Sequence, residues 1–288
     1  MNKMPENVFD KISRAYYELT AAEKRTADYL LANRESCHML SIAQLAEKSG
    51  VAEATISRFC RSLGYKSFHA FKIALAGAAY SAPGAAHILS GPVEPGDTRE
   101  EMFQKIYSAE QDALRQTLDL ADAELIRKSV DCLEKAPRVL LMGQGGSMLM
   151  AREAQHVFST VSGKFIAVED SHSQMVAATG MQKGEVILFF SYSGATRDMM
   201  DVLQLARKRK AAVILITRFP GAPGAALADI VLTCGSHEGP LQLGSVPAKI
   251  AQLFLIDLLF SEYCRWNLEE CRKSRERVAA AMAVKHLP

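Results

Sequence analysis

Three serine and threonine hydroxyls lie close together in one short turn of this sequence, residues 191–196. The apolar run 184–190 before the turn is typical of a buried parallel strand, and apolar residues recur at helical spacing over 197–210. Hydroxyls at a strand-to-helix turn lie beside unpaired amides and the positive end of a helix dipole, which together form an anion site. The candidate ligands in this turn are Ser191, Tyr192, Ser193, Gly194 and Thr196. The alternative is an ordinary polar turn in which Thr196 caps the helix.

A glycine-rich turn follows an earlier apolar segment, residues 138–142, and leads into another helical pattern from Met148 onward. Such turns at the carboxyl ends of strands are where open α/β sheets bind ligands. A dinucleotide-binding fingerprint fits less well, because Met148 stands where that fingerprint requires its third glycine. Two hydroxyl-bearing turns in one sheet indicate a phosphorylated polyol instead. The candidate ligands in this second turn are Gln144, Gly145, Gly146 and Ser147.

Three further side chains, His172, Glu238 and Lys249, are candidates for binding the same ligand. Sugar isomerisation needs a general base beside the reacting carbons, and a histidine or a carboxylate can supply it. Lys249 opens an apolar helix, where a cation is mildly unfavourable with the helix dipole, and this favours a role toward an anion. A structural histidine and a solvent-facing carboxylate are the alternatives for His172 and Glu238.

The two turns together resemble those of a SIS (sugar isomerase) domain, and the apolar segments 212–217 and 227–232 supply its later strands. The resemblance covers roughly residues 105–265. It implies a three-layer α/β/α domain with a mainly parallel sheet and a sugar-phosphate pocket. It also implies that the phosphate is held by Ser147, Ser191, Ser193 and Thr196. It leaves open whether the sugar is converted or only sensed.

The amino-terminal residues 1–80 are predicted to be all helical. Thr20 with Glu23, and Ser41 with Gln44, have the spacing of a capping box at a helix start. Two short helices follow one another around Gly50, which supplies the left-handed conformation of a sharp turn, and this pattern describes a helix-turn-helix. The buried face of the second helix is predicted to carry Ile56, Phe59, Cys60 and Leu63.

The opposite face of that second helix carries hydroxyls and guanidiniums, which suit base edges and phosphates in a DNA major groove. From Ala54 to Val93 the sequence has four Lys or Arg residues and no acidic one. The alternative is a helical interaction domain whose charges are merely solvated. The candidate DNA contacts are Ser41, Gln44, Thr55, Ser57, Arg58, Arg61, Lys66, Ser67 and Lys72.

Residues 5–76 closely resemble the amino-terminal domain of the RpiR family of bacterial transcription regulators. That family joins this domain to a SIS domain in the same order. The resemblance rests on the runs Leu19–Lys24, Ala27–Leu30, Ser41–Ala46, Ala54–Arg61, Leu63–Tyr65 and Phe68–Lys72. One departure is Ala52, where the family often has a serine that caps the recognition helix, and losing such a cap costs about 1 kcal/mol.

The composition is that of an ordinary globular protein with room for two domains. Of 288 residues, 49% are hydrophobic and 23% are charged, and the net charge is +2. No apolar run reaches the length of a membrane span. The cysteines lack C-x-x-C pairs and zinc-ligand spacing, which predicts reduced, buried thiols in a cytoplasmic protein and no metal site. Prolines and glycines between Ser81 and Gly96 predict a linker, which gives domains at 1–80, 81–97 and 98–288.

A long helix with an apolar stripe is predicted from Asp97 or Thr98 onward, packed either on its own domain or on a second protomer. The residues and the resemblance together predict a sequence-specific DNA-binding regulator of sugar or amino-sugar metabolism, controlled by a phosphosugar bound without turnover. The predicted partners are operator DNA, the phosphosugar effector and further copies of the chain in a dimer or tetramer, with no cofactor and no membrane. A sugar-phosphate isomerase with an accessory amino-terminal domain is the main alternative. A nucleoid-type DNA binder is another, but it leaves the hydroxyl turns unexplained.

Overall fold

The computed structural model of the chain describes residues 8–33, 36–79, 93–94, 96–236 and 244–283. Contacts divide these residues into two compact units, one extending to Ile106 and one beginning at Tyr107. Most of the predicted linker lies outside the described residues, so the domain boundaries at 1–80, 81–97 and 98–288 stay predictions. Within the described ranges, every helix falls short of the length and apolarity needed to cross a membrane.

Short helices around one hydrophobic core form the first unit. In chain order they are α1 Val8–Ala15, α2 Ala21–Ala32, α3 Ile42–Ser49, α4 Glu53–Ser62 and α5 Phe68–Ala79, with 3-10 turns at Tyr16–Glu18 and Cys37–Met39. Both predicted capping boxes form, at Thr20 for α2 and at Ser41 for α3. Gly50 ends α3 with a left-handed φ of 65°. The predicted helix-turn-helix is therefore confirmed, as α3 and α4.

Aromatic rings fix α5 against α4 in the core of this unit. The ring of Phe71 meets the ring of Phe59 edge-on at 5.7 Å and that of Tyr65 at 5.2 Å. Phe59 lies on the predicted buried face of α4, whose side chains all belong to the core. Burial raises the pKa of Cys37 to about 11 and that of Cys60 to about 12, so both thiols stay protonated at neutral pH.

The second unit is an α/β domain. Its strands are β1 Val139–Gly143, β2 Phe165–Ala167, β3 Val186–Phe190, β4 Ala212–Thr217 and β5 Ile230–Thr233. Its helices are α7 Ala123–Lys135, α8 Gly146–Ser159, α9 Ser171–Thr179, α10 Arg197–Lys208, α11 Val246–Trp266 and α12 Leu268–Ala283, with a 3-10 turn at Ala225–Leu227. The helix α6, Arg99–Leu120, begins before the boundary of the two units and ends inside this one.

The described strands form one parallel sheet in the order β2-β1-β3-β4-β5. Strands β1 and β3 are buried at every residue, as their continuous apolar runs predict. One face of the sheet packs against α7, α8 and α11, and the other face packs against α9 and α10. The predicted three-layer α/β/α architecture is confirmed.

An ion pair joins β1 and β3 at their amino ends. Arg138 Nε donates to Glu185 Oε1 at 2.8 Å, and Arg138 Nη2 donates to the second carboxylate oxygen at 2.9 Å. Burial alone would raise the pKa of Glu185, but hydrogen bonds from Arg138 and from the backbone N–H of Gln182 lower it below its ordinary value. The pair fixes one end of the two strands whose other end carries the turns described next.

Candidate functional site

The two predicted turns start side by side on the sheet. Gly143, the last residue of β1, is paired with Phe190, the last residue of β3. The helices that follow diverge, because α8 packs on one face of the sheet and α10 on the other. From β1 the strand order runs to β2 on one side, and from β3 it runs to β4 and β5 on the other. This change in strand order between β1 and β3 leaves a crevice at their carboxyl ends. The glycine turn, residues 143–147, and the hydroxyl turn, residues 191–196, both lie at this crevice.

Neither helix that starts at the crevice is capped by a side chain. Gly145 holds the cap position of α8, and Thr196 holds that of α10, and neither contributes a side-chain hydrogen bond to the helix. Thr196 thus stands at the cap position that the alternative interpretation assigned to it, but its side chain does not cap the helix. Two helix starts with uncapped amides direct their positive dipole ends toward the same edge of the sheet.

Four hydroxyl groups at the crevice keep their O–H hydrogens uncommitted within the part of the chain that the structure describes. Ser191 Oγ accepts the N–H of Gly194 at 3.2 Å, and Ser193 Oγ accepts the N–H of Ala195 at 3.4 Å. The side chains of Ser147 and Thr196 make no hydrogen bond to any described residue. Each of the four can therefore donate to an anionic oxygen, which is the chemistry of a phosphate site.

Gly194 permits the tight path of the hydroxyl turn. Its φ is +60°, and an added Cβ would lie 2.7 Å from the Ala222 Cβ and 2.9 Å from the Thr217 Oγ1. Both the conformation and the space exclude a larger residue. The need for glycine at this position is therefore steric.

Lys249 lies beside the glycine turn. An added Cβ on Gly146 would be 3.5 Å from the Lys249 Cε, so the lysine stem passes directly over the start of α8. No carboxylate of a described residue lies within ion-pair distance of its ammonium group. A half-buried cation thus adds to the two helix dipoles at the crevice.

A buried glutamine that sequence reasoning missed holds the glycine turn in place. Gln174 on α9 is fully buried, and its Nε2 donates to the carbonyls of Gly143 at 3.0 Å and Val168 at 2.8 Å. Its Oε1 accepts the side-chain amide of Gln144 at 2.8 Å. Gln144 is therefore at the predicted turn, with one of its donors committed to Gln174.

For three predicted effector ligands, no contact among the described residues indicates a role toward a ligand at the turns. Tyr192 lies within the hydroxyl turn, but its hydroxyl donates to the carbonyl of Ser236 at 3.1 Å. His172 is exposed in the first turn of α9, after the edge strand β2. Glu238 lies outside the described residues. The ligand roles of these three residues stay predictions.

The exposed face of α4 carries two arginines with uncommitted charge. Arg58 and Arg61 are exposed and three residues apart, so they lie on one side of the helix. Neither forms an ion pair with a described carboxylate, and Arg58 makes only a 3.4 Å hydrogen bond to Thr55. Ser57, the residue before Arg58, is half-buried. This surface carries the positive charge that the DNA prediction requires, and the contact with DNA stays a prediction.

Two of the predicted DNA contacts are placed differently by the structure. Thr55 is only 7% exposed, because it lies at the edge of the core stripe of α4 rather than on the opposite face. Lys72 is half-buried, and its Nζ donates to the carbonyl of Met39 at 3.4 Å. Burial lowers the pKa of Lys72. Neither side chain is exposed on the surface that the sequence predicted for DNA.

The remaining predicted DNA contacts lie at helix starts or in the turn before α5. Ser41 and Gln44 are exposed, and they hold each other in the capping box of α3. Ser67 Oγ accepts the N–H of Ala70 at 3.1 Å, so it caps α5. Lys66 is exposed beside it. These positions are at the surface of the first unit, and their role toward DNA stays a prediction.

Comparison with known families matches both halves of the chain. The profile described as "Helix-turn-helix domain, rpiR family" matches residues 6–82, and the SIS domain profile matches residues 132–262. An HTH-type transcriptional regulator of Haemophilus influenzae is 30% identical over 256 residues, which cover 88% of this chain and 89% of that protein. A second one, from Caldanaerobacter subterraneus subsp. tengcongensis, is 33% identical and covers 84% of each chain.

Solved structures share the fold. The NanR protein of Vibrio vulnificus, complexed with ManNAc-6P, superposes with a TM-score of 0.85 and 24% identity, covering 98% of this chain and 100% of that chain. The sugar isomerase domain of an RpiR transcription factor from Sphaerobacter thermophilus gives a TM-score of 0.56 and 19% identity, covering 62% of this chain and 97% of that chain. At these identities the similarity establishes the fold alone.

Proposed function

Because this chain belongs to the RpiR family of HTH-type transcriptional regulators, we propose that it binds operator DNA through α4 and senses a phosphosugar at the crevice between β1 and β3. The observation that carries the ligand proposal is the group of four hydroxyls with uncommitted hydrogens, beside two uncapped helix starts. A phosphate monoester offers three acceptor oxygens and a charge of about −1.5 to −2, which matches several donors and positive dipoles.

The side chains near the proposed phosphate site indicate which class of sugar could bind there. Lys249 lies beside the glycine turn and Gln144 lies within it, and both carry N–H donors that suit sugar hydroxyl or amide oxygens. The ManNAc-6P complex of the Vibrio vulnificus protein supports the same ligand class. We therefore include amino-sugar phosphates in the proposed class.

We propose that the bound sugar is sensed and not converted. Membership of a family of transcriptional regulators supports this reading. A DNA-binding unit and a ligand crevice in one chain can also act as a switch. This requires two conformations that differ in their affinity for DNA, with the ligand binding one of them more tightly than the other. The isomerase alternative instead predicts measurable turnover of the ligand.

A second copy of the chain is the proposed protein partner. On α6, Phe103, Tyr107 and Leu118 are each more than half exposed, and they recur at the spacing of one helix face. Burying such a stripe against another protomer would remove apolar surface from water. A two-fold dimer also suits an operator with two half-sites.

The ligand proposal is tested by isothermal titration of the full chain against inorganic phosphate and a panel of hexose and pentose phosphates that includes ManNAc-6P. We expect binding by at least one phosphosugar. Ser193→Ala and Thr196→Val should each weaken it by about tenfold to a hundredfold, because each removes a hydrogen bond to a charged group. The matched control is Ser108→Ala, which removes an exposed hydroxyl from α6.

Two results would overturn this proposal. One is that Ser193→Ala and Thr196→Val bind the phosphosugar as tightly as the control variant does. The other is conversion of the bound sugar, followed by nuclear magnetic resonance of the ligand over many hours, which would favour the isomerase alternative.

A further inference from the structure

The chain that leaves β5 lies directly against α6. The backbone N–H of Gly235 donates to Thr117 Oγ1 at 2.9 Å, and the N–H of Ser236 donates to Gln116 Oε1 at 3.2 Å. An added Cβ on Gly235 would lie 2.5 to 2.9 Å from atoms of Gln116, Thr117 and Ala113. Only glycine allows this approach, so the contact between this segment and α6 is built into the sequence.

The same segment is bonded to the hydroxyl turn through the carbonyl of Ser236. That oxygen accepts the hydroxyl of Tyr192 at 3.1 Å and the Nε of Arg218 at 2.9 Å. Arg218 is itself tied to the hydroxyl turn, because its backbone N–H donates to the carbonyl of Tyr192 at 3.0 Å. Ser236 therefore contacts α6 with its N–H and the hydroxyl turn with its C=O.

Ser236 is also held in a conformation that a serine adopts rarely. Its φ is +90°, and it is only 4% exposed. A non-glycine residue at positive φ persists only where surrounding bonds hold it there. The hydrogen bonds to Gln116, Tyr192 and Arg218 stabilise this conformation of Ser236. Loss of any one of these hydrogen bonds removes part of what keeps φ of Ser236 positive.

Tyr192 stands between Ser191 and Ser193, two of the four hydroxyls of the proposed phosphate site. Its ring packs edge-on against Phe219 at 5.8 Å, and its carbonyl accepts the hydroxyl of Thr217 at 3.1 Å. Rearrangement of the turn around a ligand must therefore either carry Tyr192 with it or strain these contacts. The hydrogen bond from the Tyr192 hydroxyl links the turn to the carbonyl of Ser236.

We infer that the hydrogen bond between Tyr192 and Ser236 couples ligand binding at the hydroxyl turn to the contacts that the chain after β5 makes with α6. We call these two residues the coupling joint. The inference rests on the proposed function, since it assigns a route to the regulation proposed above. Helix α6 begins at Arg99, directly after the predicted linker, so it is the element that chain connectivity places between the ligand crevice and the DNA-binding helices. In this role Tyr192 and Gln116 are positioning residues.

The test follows amide hydrogen exchange of the full chain, with and without ManNAc-6P or inorganic phosphate, and compares the hydroxyl turn with residues 107–120 of α6. In the wild type we expect ligand to change exchange in both segments. Gln116→Met, which removes the acceptor for Ser236, should change phosphosugar affinity by less than about threefold but abolish the response of α6. Gln116→Glu keeps an oxygen at the same reach and should retain that response.

Tyr192→Phe is the second variant. It is measured at saturating ligand, so that a change in its affinity for the phosphosugar does not affect the comparison. It should lose the α6 response while the hydroxyl turn still responds, whereas the control Tyr29→Phe, on α2 of the first unit, should behave as wild type. A full α6 response in Gln116→Met and Tyr192→Phe would overturn the inference and leave the proposed function intact. Absence of any ligand response in the wild type would instead contradict the proposed function.

Discussion

At the scale of single residues, the exposed side chains of α4 and its surroundings divide into two chemical kinds. Arg58 has a planar, forked guanidinium that matches a guanine edge, whereas Lys66 is a flexible point charge suited to a backbone phosphate. Both are exposed, and neither pairs with a described carboxylate. The two should therefore contribute differently to DNA binding.

We expect Arg58→Ala to cost about 1–3 kcal/mol on the duplex that the wild type selects from a random library, and far less on an unrelated duplex. Lys66→Ala should weaken both duplexes equally and reduce the slope of log affinity against log salt by about one. Fluorescence anisotropy at several salt concentrations measures both effects, with Arg272→Ala on α12 as the control. Equal losses on both duplexes for Arg58→Ala would remove it from base recognition.

At the scale of elements, α4 begins without a cap. Ala52 occupies the cap position in an extended conformation, and no side chain there accepts an N–H of the first turn. The neighbouring helices α2 and α3 each start with a complete capping box. Among α2, α3 and α4, only the proposed recognition helix α4 therefore lacks a side-chain cap for its first turn.

Ala52→Ser should stabilise the first unit by about 0.5–2 kcal/mol, because the serine hydroxyl can accept an N–H of the first turn of α4. Urea unfolding followed by circular dichroism measures this difference. Ala54→Ser makes the same chemical change inside the helix, where serine is slightly unfavourable, and should be neutral or mildly destabilising. A gain of the same size in both variants would show that the cap position is not its source.

Elements were more predictable from the sequence than their long-range contacts. The helix-turn-helix and the strands β1 and β3 follow from capping boxes and apolar runs, which act over a few residues. The burial of Thr55 depends on the helices packed beside α4, which helical periodicity does not reveal. Gln174 and the bond between Ser236 and Gln116 join residues far apart in sequence, and no local pattern indicates them.

At the scale of the whole molecule, the proposed ligand crevice and the proposed DNA surface lie in two separate compact units of one chain. A phosphosugar can change DNA affinity only if the two sites share a coupling free energy, and linkage requires that energy to be the same in both directions. The strength of regulation is therefore measurable from either site. This holds whether the ligand favours or opposes DNA binding.

We expect saturating DNA to change the affinity for the phosphosugar by the same factor by which saturating phosphosugar changes the affinity for DNA. Couplings of this kind are typically about 5-fold to 150-fold. Titration calorimetry with and without the selected duplex gives one factor, and anisotropy with and without the phosphosugar gives the other. Tyr192→Phe should bring both factors toward one together, because removing the joint removes a single shared energy. Factors of one in the wild type, with both ligands bound, would mean that the two units bind independently and that the phosphosugar does not control this regulator.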